Sequence, residues 1–284
     1  MATEKIKIFS DSTCDLSPEL IEEHDIEITP LYVTFDEEVY KDGVEINPEK
    51  LYQKVDEYDL LPKTSAVSPA DFIEAFKPYI EDGYDILYIG LSSKVSSTFQ
   101  NALMASKQFP EGRIELVDSQ NLSTGIGLLV LRAVDYINNG LELEEVAGKL
   151  RKDREKVRTQ FIIDTLDYLH KGGRCNSVQR FLGSMLKIRP VVEVVDGSMI
   201  LGNKLRGSWS KVLKRMLKDI MAKKDEIDTD RLFVTHSMVE EDAQWIKEEF
   251  EKKTYIEEVI ITETGSVISS HCGPNTMGIV YIAK

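Results

Sequence analysis

The residues of this sequence best suited to chemistry lie in three hydroxyl-rich turns, one basic segment and one histidine-containing turn. Ser10-Asp11-Ser12-Thr13, Ser92 to Thr98 and Asp118-Ser119 each follow a short apolar run. Hydroxyls beside the backbone amides of a helix start suit an anionic group. Taken singly, each turn reads first as a helix cap or a strand exit. Gathered at the carboxyl edge of a parallel sheet, where ligands bind in open sheets, the three together make a candidate site.

From His170 to Lys218 the chain carries Lys171, Arg174, Arg180, Lys187, Arg189, Lys204, Arg206, Lys211, Lys214, Arg215 and Lys218 against only Glu193 and Asp196. That segment has a net charge of +9 and the remainder −23. Such asymmetry suits an anion or an acidic partner. A solvated helix face explains Lys211, Lys214, Arg215 and Lys218 equally well. Arg174 stands apart, because it follows Gly172-Gly173, where backbone approaches a ligand closely, and guanidinium suits carboxylate or phosphate. In Ser269-Ser270-His271-Cys272-Gly273-Pro274, read as a polar turn, His271 has three readings: ligand donor, general base, or structural residue. Cys272 as a nucleophile needs a partner, and the sequence identifies none. His170 and His236 read as structural or surface residues, and Cys14 and Cys175 as bystanders. The P-loop, the dinucleotide fingerprint, the nucleophile elbow, H-E-x-x-H and the EF-hand loop are all absent from the sequence.

The elements that must position these residues follow from patterning. Lys5 to Phe9, Tyr84 to Gly90 and Arg113 to Val117 read as strands, alternating with helices at Pro69 to Tyr79, Phe99 to Gln108 and Ser123 to Asn138. Pro48 to Val55 reads as a further helix, and Ile28 to Phe35 as an extended run before a small hairpin. That alternation predicts a parallel sheet covered on both faces. Glu142 to Arg154 is expected to bridge two domains, 1–155 and 156–284. In the second, Thr159 to Ile163, Arg231 to Thr235, Ile256 to Ile261 and Met277 to Ala283 read as strands. Short helices are expected at Leu166 to Lys171 and Val178 to Leu186, and longer ones at Ser208 to Lys223 and Glu240 to Lys252. Asp196-Gly197, between Ile188 to Val195 and Ser198 to Leu201, is a strong hairpin signal and implies a mixed sheet.

The 284 residues contain 42% hydrophobic and 30% charged residues, an ordinary globular composition with room for a sizeable core. A net charge of −14 disfavours generic binding to DNA, RNA or anionic membrane, which only a local basic patch would override. No apolar stretch has the length of a membrane span or a signal h-region. Three scattered cysteines read as reduced thiols in a cytoplasm rather than disulfides or a zinc site. From the residues alone, the reading is a two-domain α/β protein with a hydroxyl-rich, locally cationic small-anion site.

Five motifs then carry a resemblance. Phe9-Ser10-Asp11-Ser12-Thr13-Cys14-Asp15-Leu16 resembles the opening of the DegV family, and Thr64-Ser65-Ala66-Val67-Ser68-Pro69 its Thr-Ser-x-x-Ser-Pro turn. Ser92-Ser93-Lys94-Val95-Ser96-Ser97-Thr98-Phe99 is similar to its Ser-Ser-x-Leu-Ser-Gly-Thr-Tyr loop. Leu169-His170-Lys171-Gly172-Gly173-Arg174 resembles its Leu-x-x-Gly-Gly-Arg turn, and His271-Cys272-Gly273-Pro274 its closing His-x-Gly-Pro. They occur in the family's order across nearly the whole chain. Two positions depart from the pattern: Ser97 replaces the usual glycine and Phe99 the usual tyrosine.

The resemblance implies two α/β domains with a ligand tunnel between them. It implies a long-chain fatty acid as ligand, its carboxylate held by Thr64, Ser65, Ser96, Ser97, Arg174, Arg206 and His271. It further implies a binding protein with no catalytic residue, metal or cofactor. Such a protein presents its lipid to a separate ATP-dependent fatty acid kinase, whose acyl phosphate feeds phospholipid synthesis, and it touches the membrane transiently. Two alternatives are a lipid-responsive regulator without a kinase partner and an enzyme component like those of dihydroxyacetone kinases, which are similar in fold and hold a ketone substrate through a histidine.

Overall fold

The computed structural model describes residues 5–174 and 188–284. The expected helix Val178 to Leu186, with Cys175, Arg180 and Lys187, lies outside the described residues. In chain order the elements are β1 (Ile6–Asp11), α1 (Pro18–Glu23), β2 (Glu27–Thr29), β3 (Tyr32–Phe35), β4 (Glu38–Lys41), α2 (Pro48–Tyr58), β5 (Lys63–Ser65) and α3 (Pro69–Glu81). There follow β6 (Asp85–Gly90), α4 (Thr98–Ser106), β7 (Ile114–Asp118), α5 (Thr124–Asn138) and α6 (Leu143–Asp153). The remainder holds β8 (Val157–Ile162), α7 (Asp167–Lys171), β9 (Ile188–Val195), β10 (Ser198–Arg206), α8 (Trp209–Met221), β11 (Ile227–Ser237), α9 (Glu240–Lys253), β12 (Glu258–Glu263), α10 (Ser266–Cys272) and β13 (Thr276–Ala283).

The first sheet runs β2-β1-β6-β7 and is wholly parallel. Its strands are apolar on both faces, as a doubly covered sheet requires. Phe9 and Tyr88, paired in register, present rings to Phe72 and Phe76 of α3. The alternate residues Ile8, Leu87 and Ile89 are buried on the other side, where α5 and α6 pack. Helix α6, expected to bridge two domains, packs on β6, β7 and α5 and thus covers the first sheet. The chain crosses to the second sheet only at the turn Arg154–Lys156.

The second sheet, β10-β9-β8-β13-β11-β12, is antiparallel except for the β11–β12 pair. It is the mixed sheet expected, and the Asp196-Gly197 turn has positive φ at both residues, as a tight hairpin demands. Period-two alternation sorts its residues into two cores. Phe161, Val192, Val194, Phe233 and Val280 join the core that surrounds α5 and the first sheet. Ile162, Val191, Val234, Met277 and Ile279 form a separate core under α8 and α9. Helix α5 lies between the sheets, contacting β1 and β6 on one side and β8, β11 and β13 on the other. Ten of its fifteen residues are buried, so it is apolar nearly all round.

A third, small antiparallel sheet, β4-β3-β5, is built from the turn-rich stretch after Pro30. The run expected from Ile28 to Phe35 is divided between β2 of the first sheet and β3 of this one, so the hairpin expected after Phe35 forms instead between β3 and β4; a further strand, β5, lies in what reads from sequence as a connector. Among the described residues no helix is long and apolar enough to cross a membrane.

Candidate functional site

A cavity of about 870 Å³ opens between the loops at the carboxyl ends of the first sheet and one face of the second. This is the place an open parallel sheet offers a ligand. Leu31, Leu91 and Leu122, each just beyond a strand of the first sheet, form one wall. Phe161, Met199 and Val280 of the second sheet form the other, with Val267 and Ile268 from α10. The lining is mostly apolar, with hydroxyls such as those of Thr124, Thr159 and Thr235 spread along it and a polar pair, Thr64 and His271, where β5 meets α10.

Each of those groups is held by an identifiable device. Thr64 sits on β5, whose pairing with β3 sets Thr64 opposite Val33. His271 sits in the last turn of α10. That helix has no side-chain cap of its own. Its first amides are taken instead by two distant buried carboxylates, Asp15 accepting from Gly265 N (2.8 Å) and Asp42 from Ser266 N (2.7 Å). Asp15 also accepts from the Ser123 hydroxyl. Burial raises the pKa of both carboxyls, while the amide bonds work against that rise.

Thr64 Oγ1 lies 2.9 Å from His271 Nε2. The other ring nitrogen, Nδ1, is buried and makes no hydrogen bond among the described residues. It faces Gly172, where a Cβ would stand 2.3 Å away. An unpaired buried N–H is costlier than a bare acceptor. The proton is therefore assigned to Nε2, which donates to Thr64 Oγ1. The Thr64 hydroxyl hydrogen is then available to an acceptor in the cavity. Burial, and secondarily the Arg174 charge, hold the imidazole pKa down at about 4, so the ring is neutral near pH 7.

The cavity brings together Thr64, Ser65, Ser96, Arg174 and His271 of the residues expected from sequence. Ser96 Oγ accepts from Thr98 N (3.2 Å) and shares a hydrogen bond with Thr98 Oγ1 (2.9 Å), which fixes it at the start of α4. Arg174 is exposed at the rim, its Nη1 donating to Gly172 O (2.8 Å). Ser97 and Arg206 do not line the cavity. Ser97 is exposed in helical backbone (φ −80°, ψ −3°), and Arg206 is exposed at the end of the edge strand β10.

Among the described residues, no basic residue of the His170 to Lys218 segment apart from Arg174 lines the cavity. Lys211, Lys214, Arg215 and Lys218 lie exposed along α8, the solvated face that was one reading of them. Arg189 pairs with Asp164 (2.6 Å) and lies over the Trp209 ring. Of the three hydroxyl-rich turns, only the second supplies a lining hydroxyl. In the first, Asp11 is fully engaged, accepting from Thr13 N, the Thr13 hydroxyl, Tyr88 Oη and Leu91 N. In the third, Asp118 takes Ser93 and Gln120 N, and Ser119 caps Asn121 N. Just after it, however, Leu122, Ser123 and Thr124 at the start of α5 do line the cavity. No turn signal marks them, because α5 begins without a side-chain cap and at an unusual backbone geometry for Ser123 (φ 53°, ψ −143°).

The stretch around His271, expected as a polar turn, is helical. His170 is exposed at the end of α7, whereas His236 is buried in β11. Cys14 and Cys272 are buried, and burial pushes both thiols up to about 12. Neither is a thiolate near neutral pH, so neither is an activated nucleophile. No cluster of three or more His, Cys, Asp or Glu residues suited to a metal occurs among the described residues.

Comparison with known proteins places this geometry in a family. The model described as "Uncharacterised protein, DegV family" matches residues 5–284. A DegV domain-containing protein of Clostridium perfringens is 33% identical over 290 residues, covering 99% of each chain. Two solved structures share the fold over its whole length. One, described as fatty acid binding of a DegV family protein from Thermus thermophilus, has a TM-score of 0.91 at 33% identity, covering 99% of this chain and 100% of that one. The other, a Thermotoga maritima protein whose structure is described as revealing fatty acid binding function, has a TM-score of 0.85 at 31% identity with the same coverage. This chain belongs to the DegV family.

Proposed function

We propose that the protein binds one long-chain fatty acid in the cavity between the two sheets. The observation that carries this reading is the division of the lining. The lining is mostly apolar, and it carries Thr64, Ser96, neutral His271 and the rim cation Arg174. A carboxylate leaving water must be hydrogen-bonded or paired, and the Thr64 hydroxyl, relayed from His271, is a donor aimed at that need. The Ser96 hydroxyl adds a second polar contact, and Arg174 supplies charge without deep burial. For the tail, about 0.8 kcal/mol per buried methylene gives on the order of 10 kcal/mol gross for a chain of about 16 carbons, before binding costs. An exposed groove would forgo much of that.

In the same reading 1–155 and 156–284 are the two halves of a non-enzymatic cytoplasmic carrier. It takes the acid up in transient contact with a membrane. It then presents the carboxylate at the rim, beside Arg174, to a separate ATP-dependent fatty acid kinase whose acyl phosphate enters phospholipid synthesis. Covalent capture of a small ketone by the histidine fits less well, because Nε2 is engaged with Thr64 and Nδ1 is walled off by Gly172.

The test is mass spectrometry of the solvent extract of gently purified protein, with native mass spectrometry beside it. One fatty acid per chain is the expected result. A small polar keto or phosphorylated compound in its place would overturn the reading.

A further inference from the structure

Strand β13 crosses the middle of the second sheet, and its residues alternate strictly. Met277, Ile279 and Tyr281 belong to the core under α8 and α9. Thr276, Gly278 and Val280 face the cavity and line it. On that face the central position alone lacks a side chain. Its register partners are Phe161 on β8 and Thr235 on β11, and both also line the cavity. The floor therefore has a notch one residue wide, walled by Phe161 and Thr235.

Neither backbone nor packing requires glycine there. The backbone is extended, and a Cβ would make ordinary contacts, 3.5 Å to Phe161 Cβ, 3.6 Å to Thr235 O and 3.7 Å to Gln160 O. Glycine inside a strand is less favourable than alanine because it loses more conformational freedom on folding, and it marks places where another group comes close to the backbone. The group that comes close at Gly278 is whatever fills the cavity.

The notch also has a position along the channel. Thr276 Oγ1 donates to Cys272 O (3.1 Å), tying the start of β13 to the end of α10 that carries His271. Two residues farther along a strand is about 7 Å. Gly278 thus lies on the lining between Thr276 and Val280, beyond the end of α10 that carries His271. We infer that Gly278 determines acyl-chain length, by keeping open the passage through which a long tail runs. The inference rests on the fatty-acid reading above. A large side chain at 278 closes the passage and leaves space only for short acids, whereas the carboxylate contacts are untouched.

The experiment is equilibrium binding of palmitate and decanoate, after delipidation, to the full-length wild type and to Gly278→Ala, Gly278→Val and Gly278→Leu, with thermal unfolding as a folding control. Each methylene excluded weakens binding about fourfold, from ~0.8 kcal/mol per buried methylene and 1.4 kcal/mol per tenfold. The preference for palmitate over decanoate should fall in the order Ala, Val, Leu, by more than tenfold at Leu, with decanoate binding retained. Should Gly278→Leu fail to fold, the graded fall from wild type through Ala to Val carries the test. Folded variants that keep the wild-type preference overturn the inference, as do folded variants that lose both acids equally. A wild type that binds neither acid overturns the fatty-acid reading itself, which distinguishes the two failures.

Discussion

Gly172 and His271 are in direct register: the ring Nδ1 occupies the place where a Cβ on residue 172 would stand, 2.3 Å away. The same Cβ would lie 2.9 Å from Tyr168 O. Residue 172 has ordinary helical φ (−68°), so its glycine serves close approach rather than backbone freedom. Gly172→Ala must therefore push the imidazole away from Thr64. We expect a loss of about 1–3 kcal/mol in stability, the usual cost of overpacking, together with faster release of bound fatty acid. Thermal unfolding and lipid retention through a desalting column check this. A variant with wild-type melting and retention would contradict the contact.

The Thr64 hydroxyl is assigned as a donor into the cavity, so its removal should cost binding while the fold persists. Thr64→Val keeps shape and removes the hydroxyl. Truncating one partner of a buried charged hydrogen bond costs ~2–5 kcal/mol, so the fatty acid dissociation rate should rise at least tenfold. Thr64→Ser should restore most of the affinity. Equal affinities for Thr64→Val and the wild type would remove Thr64 from the site.

The imidazole gives a pH signature with a definite sign. Its pKa falls from 6.5 in the unfolded chain to about 4 in the folded one. Between those values the unfolded state binds the proton and the folded state does not. This group's contribution to stability therefore falls as pH drops from about 6.5 to 4, by roughly 3 kcal/mol in total. Asp15 and Asp42, whose carboxyls are raised by burial, oppose that slope. The measurement is accordingly a difference: stability against pH for the wild type minus that for His271→Gln. Parallel curves would show that His271 is not held neutral.

Arg174 sits at the rim with its side chain exposed. Under the carrier reading, Arg174→Ala should lower acyl-phosphate formation by the partner kinase at least tenfold, because a guanidinium near transferring phosphate is a large electrostatic contribution. Copurified lipid should stay near one per chain. Wild-type turnover at full lipid occupancy would exclude Arg174 from the presentation step.

Much of the architecture is legible in the sequence because it rests on local signals. Apolar runs alternating with helical stretches mark the first sheet and its helices, as at Tyr84 to Gly90 and Pro69 to Tyr79. Asp196-Gly197 announces its hairpin by residue type alone. What escapes is positioned by partners far along the chain. Ser269 to Pro274 reads as a turn, and its first four residues are the end of α10, because the helix's caps are Asp15 and Asp42, 250 and 224 residues away from the amides they take, and because Ser266, Val267, Ser269, Ser270 and Cys272 are all buried, which erases helical periodicity. Strand β5 is three residues long and exists through its pairing with β3. Thr64 and His271 are recognisable as motif residues, whereas Gly278 is one of 17 glycines with no local mark. Its significance lies in register with Phe161 and Thr235, a property of the sheet. Arg206 shows the opposite case: residue type suggests an anion ligand, and the edge strand β10 holds it exposed, outside the lining.

Helix α5 belongs to both sheets at once, and this bears on how the molecule can come apart. The core around α5 cannot be divided between the halves: a fragment ending after α5 bares the side that β8, β11 and β13 covered, and one beginning after it keeps the core under α8 and α9 but bares the sheet face that α5 covered. The chain should melt in one calorimetric transition despite its three sheets. Separate expression of 1–139 and 140–284 should yield insoluble pieces that regain solubility only when refolded together.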